Sequence, residues 1–469
     1  MENIKKLTPL KVPAKASLWY IISAGIARGI GALSVPIFTR LLSPEEFGVF
    51  SLYYSWLGIF TVVVSLEITG SVIYRGFQRF EDKKDEFASA TLGLLGAIFV
   101  GFCALYFAFF GIIENFIGLS LSVSVFMFVE IIGTEVASLY LAKAKFEYKY
   151  KAVSAINIIS AILIPFSAIV LILLTKIRSE ARIYASSILT LAIAIPLLIL
   201  VLRKSDKLYS KEMWWYLIKR SIPLLPHYFA VSLILRAAEI SIGRNYGTAS
   251  LGQYSVAMSV GMILTVVTGG ILSALTPWIM RKIREGGIDK IREFLLLLTR
   301  ALLLLALLVL AAAPEILSIL AAEEYRSAIS CIYPLEIAAV LSFLSGAIIS
   351  ASAYYERGAF SSLASVSAAT VSVVLSFIVL PRTDYRLAGI FALASYLIMA
   401  LFSSFIFKRL SGEYPINIKK TLLILLLSVA YATVLYAFRD VIMSRIFLAL
   451  PIISLLLISA KDIYEKIKE

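Results

Sequence analysis

The sequence predicts an all-helical, polytopic membrane protein with about fourteen transmembrane helices: two six-helix lobes forming a parallel repeat, plus two C-terminal helices. Three observations lead there. Hydrophobic residues make up 60% of the chain, charged residues only 16%, and the mean hydropathy is +0.91. Soluble domains sit nearer half apolar and about a quarter charged. Apolar runs of roughly 20 residues, the length that crosses a hydrocarbon core of about 30 Å, recur from one end to the other. Lastly, the stretch RLLSPEEFGVFSLYYS (40–55) returns in degraded form as RNYGTASLGQYSVAMS (244–259). A shift of 204 residues superimposes Arg40 on Arg244, Gly48 on Gly252, Ser51 on Ser255, Ser55 on Ser259 and the aromatic Phe50 on Tyr254.

Taken in order, the first six spans lie near 17–38, 47–74, 86–110, 116–141, 152–174 and 181–202. The next six lie near 222–243, 251–277, 293–313, 329–353, 359–380 and 387–407, and the last two near 420–438 and 443–460. Residues 1–202 are thus expected to form an N-lobe, 203–221 a linker, 222–410 a C-lobe, and 411–469 the two appended helices and tail. Arg40 and Arg244 follow spans 1 and 7. Six helices separate them, an even number, so both junctions face the same side of the membrane, as a repeat about the membrane normal requires.

Basic residues orient the chain. With the N-terminal Lys5, Lys6, Lys11 and Lys15 in the cytoplasm, 31 Lys and Arg fall in cytoplasmic segments and 10 in outer ones. This bias over short loops predicts a multi-pass protein of the cell (plasma or inner) membrane with both termini cytoplasmic. The outer loop TKIRSEAR, with Lys176, Arg178 and Arg182, runs against the trend. Topology thereby accounts for the net charge of +14, and nucleic acid is not an expected partner. The first span is long and no small-residue cleavage site follows a short apolar core, so no signal peptide is expected.

Local chemistry then assigns the junctions. Ser43 is the expected N-cap of span 2, Pro44 its first residue, and Glu45 and Glu46 complement the positive helix end. Gly48 and Gly252 allow close helix approach, so Arg40, Gly48, Arg244 and Gly252 read as architectural. The linker RKSDKLYSKEMWWYLIKRS mixes basic residues with Trp214 and Trp215, which suits a surface helix in the headgroup layer. Cys103 and Cys331 read as packing residues.

The run PIFTRLLSPEEFGVFSL resembles the signature after the first helix of the polysaccharide-transporter (O-antigen flippase) family. That family belongs to the multidrug/oligosaccharidyl-lipid/polysaccharide exporter superfamily. RAAEISIGRNYGTASLGQYSVAMSVG (236–261) is similar to a second family pattern, with Glu239 where many members carry Asp. The resemblance spans essentially the whole chain. It implies a flippase that carries a lipid-linked oligosaccharide, on a prenyl phosphate or diphosphate, from the cytoplasmic to the outer leaflet for cell-surface polysaccharide synthesis. It also implies that the first two spans of each lobe line a central cavity, and that the lobes rock to open it alternately to each side.

Ionisable groups inside spans are costly and usually functional. Here they are Arg28, Glu67, Glu130, Glu135, His227, Arg236, Glu239, Arg300 and Glu336. A phosphate crossing at membrane depth requires positive charge, and guanidinium offers permanent charge with bidentate donors. Arg28 and Arg236 are therefore the expected headgroup-binding pair; the competing assignment for each is an internal salt bridge, for Arg236 with Glu239, three residues on. Glu67, Glu239 and His227 are the candidates for H⁺ or Na⁺ coupling. Arg300 is expected to snorkel to the cytoplasmic surface, and Glu336 to reach water at the outer end of span 10. Glu130 and Glu135, five apart, face different directions.

No glycine-rich phosphate loop, HExxH or CxxC occurs, so neither catalysis, cofactor nor metal is expected. A cation-coupled multidrug exporter of the same superfamily would want a carboxylate-dominated cavity. A membrane-embedded polymerase or ligase, expected at most as a partner besides membrane lipids, would want a large outer loop. Both readings fit the residues less well. The orientation has a direct check in a Cys103→Ser, Cys331→Ser background. In intact cells an impermeant maleimide should label Ser179→Cys, and Ser210→Cys only after permeabilisation; the opposite pattern inverts the topology.

Overall fold

In the computed structural model, residues 11–355 and 358–468 are described; Lys5 and Lys6 lie outside them. Regular structure among the described residues is helical throughout, and fourteen helices are long and apolar enough to cross a membrane. Lipid offers no hydrogen-bond partners, so a spanning backbone must close its bonds within the segment, as a helix does. Leu18, Ile21 and Leu33 on the first helix, and Phe166, Leu173 and Leu174 on a later one, stand outward as lipid-facing side chains do.

The chain divides into two compact units: Met1–Leu42 with Val49–Phe229, and Ser43–Gly48 with Ala230–Glu469. The first unit begins with α1 (Lys11–Leu41), most of α2 (Pro44–Ser65) and the short α3 (Ile73–Arg79). There follow α4 (Lys84–Ala108), α5 (Phe110–Ile117), α6 (Leu121–Phe146), α7 (Tyr150–Leu174), α8 (Arg178–Leu202) and α9 (Lys211–Ser221). The second unit is built on α10 (Leu225–Arg284), α11 (Ile288–Ala311), α12 (Ala313–Leu320), α13 (Ile329–Ser352) and α14 (Gly358–Val374), then α15 (Ala388–Ser411), α16 (Ile418–Ala437) and α17 (Ile442–Lys468).

The repeat is visible as matching elements. Helices α4, α5 and α6 have 25, 8 and 26 residues; α11, α12 and α13 have 24, 8 and 24. The eight-residue helices α5 and α12 were not legible in the sequence, because their apolar residues extend the neighbouring spans. Spans 7 and 8 are two helices that run on from each other within Leu225–Arg284, meeting at a kink at Gly247 (φ 83°, ψ 168°), a conformation open to glycine.

Span 2 departs from its expected range of 47–74. The helix stops at Ser65, Leu66 and Glu67 take positive φ (47° and 52°), and a π turn at Ile68–Val72 leads into α3. The Ser65 hydroxyl accepts the Glu67 N–H (3.1 Å), and the Glu67 carbonyl accepts the Ser71 hydroxyl (2.6 Å), so the break is internally bonded. Around it lies a core of Ile68, Ile73, Phe77 and Phe87 closed by Met213 and Leu217 of α9. That places α9 against the first unit, with Trp214 donating to the Ala90 carbonyl (2.8 Å) and Trp215 exposed.

The start of α2 carries the expected cap in reciprocal form: Ser43 N–H donates to Glu46 (2.9 Å) and Glu46 N–H donates to the Ser43 hydroxyl (3.2 Å). Within the second unit this first turn meets the matching turn of α10. A Cβ on Gly48 would lie 1.8 Å from the Thr248 carbonyl oxygen, and one on Gly252 1.9 Å from that of Pro44. The two copies of the repeated junction are thus packed backbone to backbone. Gly48→Ala should therefore lower the thermal midpoint in detergent, on the scale of about 1–3 kcal/mol for overpacking. Gly101→Ala, where an added Cβ meets nothing within 4 Å, should leave the midpoint unchanged or slightly raised and serves as the control.

Candidate functional site

In the first unit Arg28 lies mid-way along α1 and is exposed. Among the described residues it makes no ion pair. Its helical neighbours at three and four positions either side are Ala24, Gly25, Gly31 and Ala32, and a Cβ added to Gly25 or Gly31 would meet nothing within 4 Å. The guanidinium therefore stands over a face stripped of bulk, with room for a ligand group beside it. Sequence reasoning singled out the arginine but missed the bare face, which the i±3 and i±4 spacing of small residues signals.

The carboxylates of this unit have distinct settings. Glu67 sits at the break after α2, half-buried, its carboxylate lying over Gly70 of the π turn. Buried Glu135 accepts from the Thr69 hydroxyl (2.9 Å) and lines a largely apolar cavity of about 340 Å³ bounded by Leu92, Leu95, Ile132 and Leu198. Buried Glu130 accepts from Tyr53 (2.6 Å) and Ser187 (3.1 Å) on one oxygen and from Ser186 (2.9 Å) on the other. Glu130 and Glu135 thus have separate partners, as their five-residue spacing requires. The three hydroxyls around Glu130 come from α2 and α8, more than fifty residues away in each direction, and nothing in the local sequence points to them. His227 is half-buried, with its ring 5.3 Å from that of Tyr228.

In the second unit Arg236 bonds Glu239 at 2.8 Å, so the internal salt bridge is formed. Arg40 donates to the Pro36 carbonyl (2.9 Å), and Arg244 is exposed. Arg300, partly exposed, bonds Asp462 of α17 at 2.6 Å, a partner 162 residues away that the sequence did not indicate. One expectation is corrected. Glu336 does not reach water: it is fully buried. A feature absent from the sequence reading is Arg445, buried, which bonds Glu315 through both nitrogens of its fork and donates to the Ala311 carbonyl (2.6 Å) at the end of α11. That pairing holds the Glu315 carboxyl below the usual carboxylate range.

With this geometry in place, comparison with known proteins decides the family. The model of the family described as "Polysaccharide biosynthesis protein" matches residues 14–283, more than half of the chain. The chain belongs to this polysaccharide biosynthesis protein family. No curated protein sequence matches it. Among solved structures it is similar to the lipid II flippase MurJ in an inward closed conformation, at 13% identity and a TM-score of 0.71, covering 96% of this chain and 100% of that one. An inward-facing multidrug resistance MATE family transporter of the MOP superfamily matches at 14% identity and a TM-score of 0.62, over 84% and 99% of the two chains. A MOP superfamily transporter from Pyrococcus furiosus, described as having reversed binding-pocket polarity, matches at 16% and 0.57, over 85% and 96%. The chain thus has the fold of these proteins and is a multi-pass membrane protein.

The Glu130 cluster can be tested on its own. Tyr53→Phe removes the shortest of three bonds to a buried carboxylate and should cost about 1–3 kcal/mol. The expected result is a lower thermal midpoint for the purified protein. An unchanged midpoint would mean that this hydroxyl is dispensable.

Proposed function

We propose that the protein is a flippase that moves a lipid-linked oligosaccharide, its prenyl carrier joined through phosphate or diphosphate, from the cytoplasmic to the outer leaflet. The observation that carries this reading is Arg28: a permanently charged, exposed guanidinium in mid-span, with no ion pair among the described residues and only small residues around it. A group of this kind is not stable against hydrocarbon and suits an anion that must enter the membrane. The family is one of polysaccharide biosynthesis, and the similar folds include a flippase. Arg236 is the second headgroup residue of the proposal, handing its charge from Glu239 to the passing phosphate.

Transport here proceeds by alternating exposure to the two sides, with no catalytic step. An H⁺ or Na⁺ gradient drives it through a cavity carboxylate, Glu67 or Glu239, or through His227. Both termini lie in the cytoplasm at the plasma or inner membrane, membrane lipids surround the chain, and a polymerase or ligase takes up the delivered glycan.

The test uses purified protein in liposomes with a short-chain fluorescent prenyl-diphosphate oligosaccharide, followed for leaflet exchange beside a cationic dye. Exchange should be fast for the wild type and slowed at least tenfold by Arg28→Ala, a loss of about 1.4 kcal/mol in transition-state stabilisation. Arg236→Ala should slow it as well. Movement of the dye alone would replace this reading with the drug-exporter one.

A further inference from the structure

The linker helix α9 has two contrasting faces. Met213, Leu217 and Ser221 recur every four residues and are buried, the first two in the core around Phe77 and Phe87. Lys211, Trp215 and Lys219 recur with the same spacing, set off by two residues, or about 200° around the axis, and all three are exposed. One face is therefore occupied by the unit's own core. The other shows an indole at 63% exposure with a lysine one turn to either side, and Ile222 just past the helix is exposed as well. An open indole between two cations suits a surface that is apolar in depth and anionic at its rim.

Charge and depth agree with this. Over 203–221 six basic residues stand against two acidic ones, Asp206 and Glu212. Lys207 pairs with Glu86, but among the described residues Lys211, Lys219 and Arg220 form no ion pair. Glu212 is exposed too, so these three cations leave the helix surface with a positive excess. Arg79 of α3 adds another, lying 5.3 Å over the ring of Tyr216. The helix is also held at a fixed level. Trp214 donates to the Ala90 carbonyl (2.8 Å), and Ala90 is six residues, about 9 Å, along α4 from Lys84. Just before α9 the chain lies against α4 at Gly93, where a Cβ would be 1.9 Å from the Leu208 carbonyl oxygen. The first turn of α4 holds Lys84, Asp85 and Glu86, after which the helix carries no charge. Helix α9 thus sits where a spanning helix passes from its charged turn into its apolar length, the level of lipid headgroups.

We propose that the exposed face of α9 formed by Lys211, Trp215 and Lys219 binds anionic phospholipid headgroups. The indole lies among the upper acyl chains, and the two ammonium groups bind lipid phosphates. A zwitterionic headgroup offers the same phosphate beside its own ammonium, so it gains little from the lysines. The attraction of an anionic surface acts within a Debye length and weakens with salt. This site does not depend on what the protein transports.

The experiment reconstitutes the full-length protein in bilayers containing phosphatidylglycerol or phosphatidylcholine with brominated chains, which quench tryptophan fluorescence on contact. The Trp215 signal is the difference between wild type and Trp215→Phe. At equal mole fraction the anionic lipid should quench that signal about twofold more strongly than the zwitterionic one, and the excess should fall in high salt. Lys211→Gln with Lys219→Gln, both at exposed positions, should abolish the excess, whereas Lys211→Arg with Lys219→Arg should keep it. Equal quenching by the two lipids overturns the proposal. Quenching by neither also overturns it and favours a protein partner on this face. A glutamine pair that keeps the excess, or an arginine pair that loses it, does the same. Should the glutamine pair not fold, wild type alone decides: an excess unmoved by high salt overturns the proposal.

Discussion

A hydrocarbon interior supplies no hydrogen bonds, and that constraint governs the structure. Every spanning segment closes its backbone bonds as a helix. Small hydroxyls turn back on their own helices, as Ser55 does to the Ser51 carbonyl, Thr91 to Phe87 and Ser345 to Leu341. Charges that enter the apolar zone find partners: Arg236 with Glu239, Arg300 with Asp462, Arg445 with Glu315. Arg28 and Glu336 stand out, the one exposed with no ion pair and the other enclosed with no hydrogen-bond partner among the described residues.

The repeat gives this contrast its meaning. Two halves that share a helix order inherit the same positions, and each position is then free to diverge. At the junction divergence is small: Gly48 and Gly252 keep the absence of a side chain that lets the two turns touch. Elsewhere the halves differ: Glu130 is surrounded by hydroxyls from α2 and α8, whereas Glu336 has no hydrogen-bond partner among the described residues.

Much of the candidate site was legible before the fold. A rare charge in an apolar run is visible in any sequence, so Arg28, Glu130, Arg236, Glu239 and Glu336 could all be picked out. Their environments could be inferred only where the partner was local. The Arg236–Glu239 pair follows from three-residue spacing, and the Ser43–Glu46 cap from its motif. The pairing of Arg300 with Asp462 and the burial of Glu336 depend on segments far along the chain. The break at Glu67 was missed because Leu66 and Ile68 keep the hydropathy high while the backbone turns.

The sequence by itself determined the helical membrane class, the number of spans, the duplication and the short list of charges. These follow from hydropathy and periodicity, which depend on composition within one or two helical turns. Only the tertiary structure decided which of those charges are bonded, where α5, α12 and Arg445 sit, and that Gly48 meets Gly252. A hydrogen bond requires two groups within about 3 Å of each other. When those groups come from helices a hundred residues apart, packing alone brings them together.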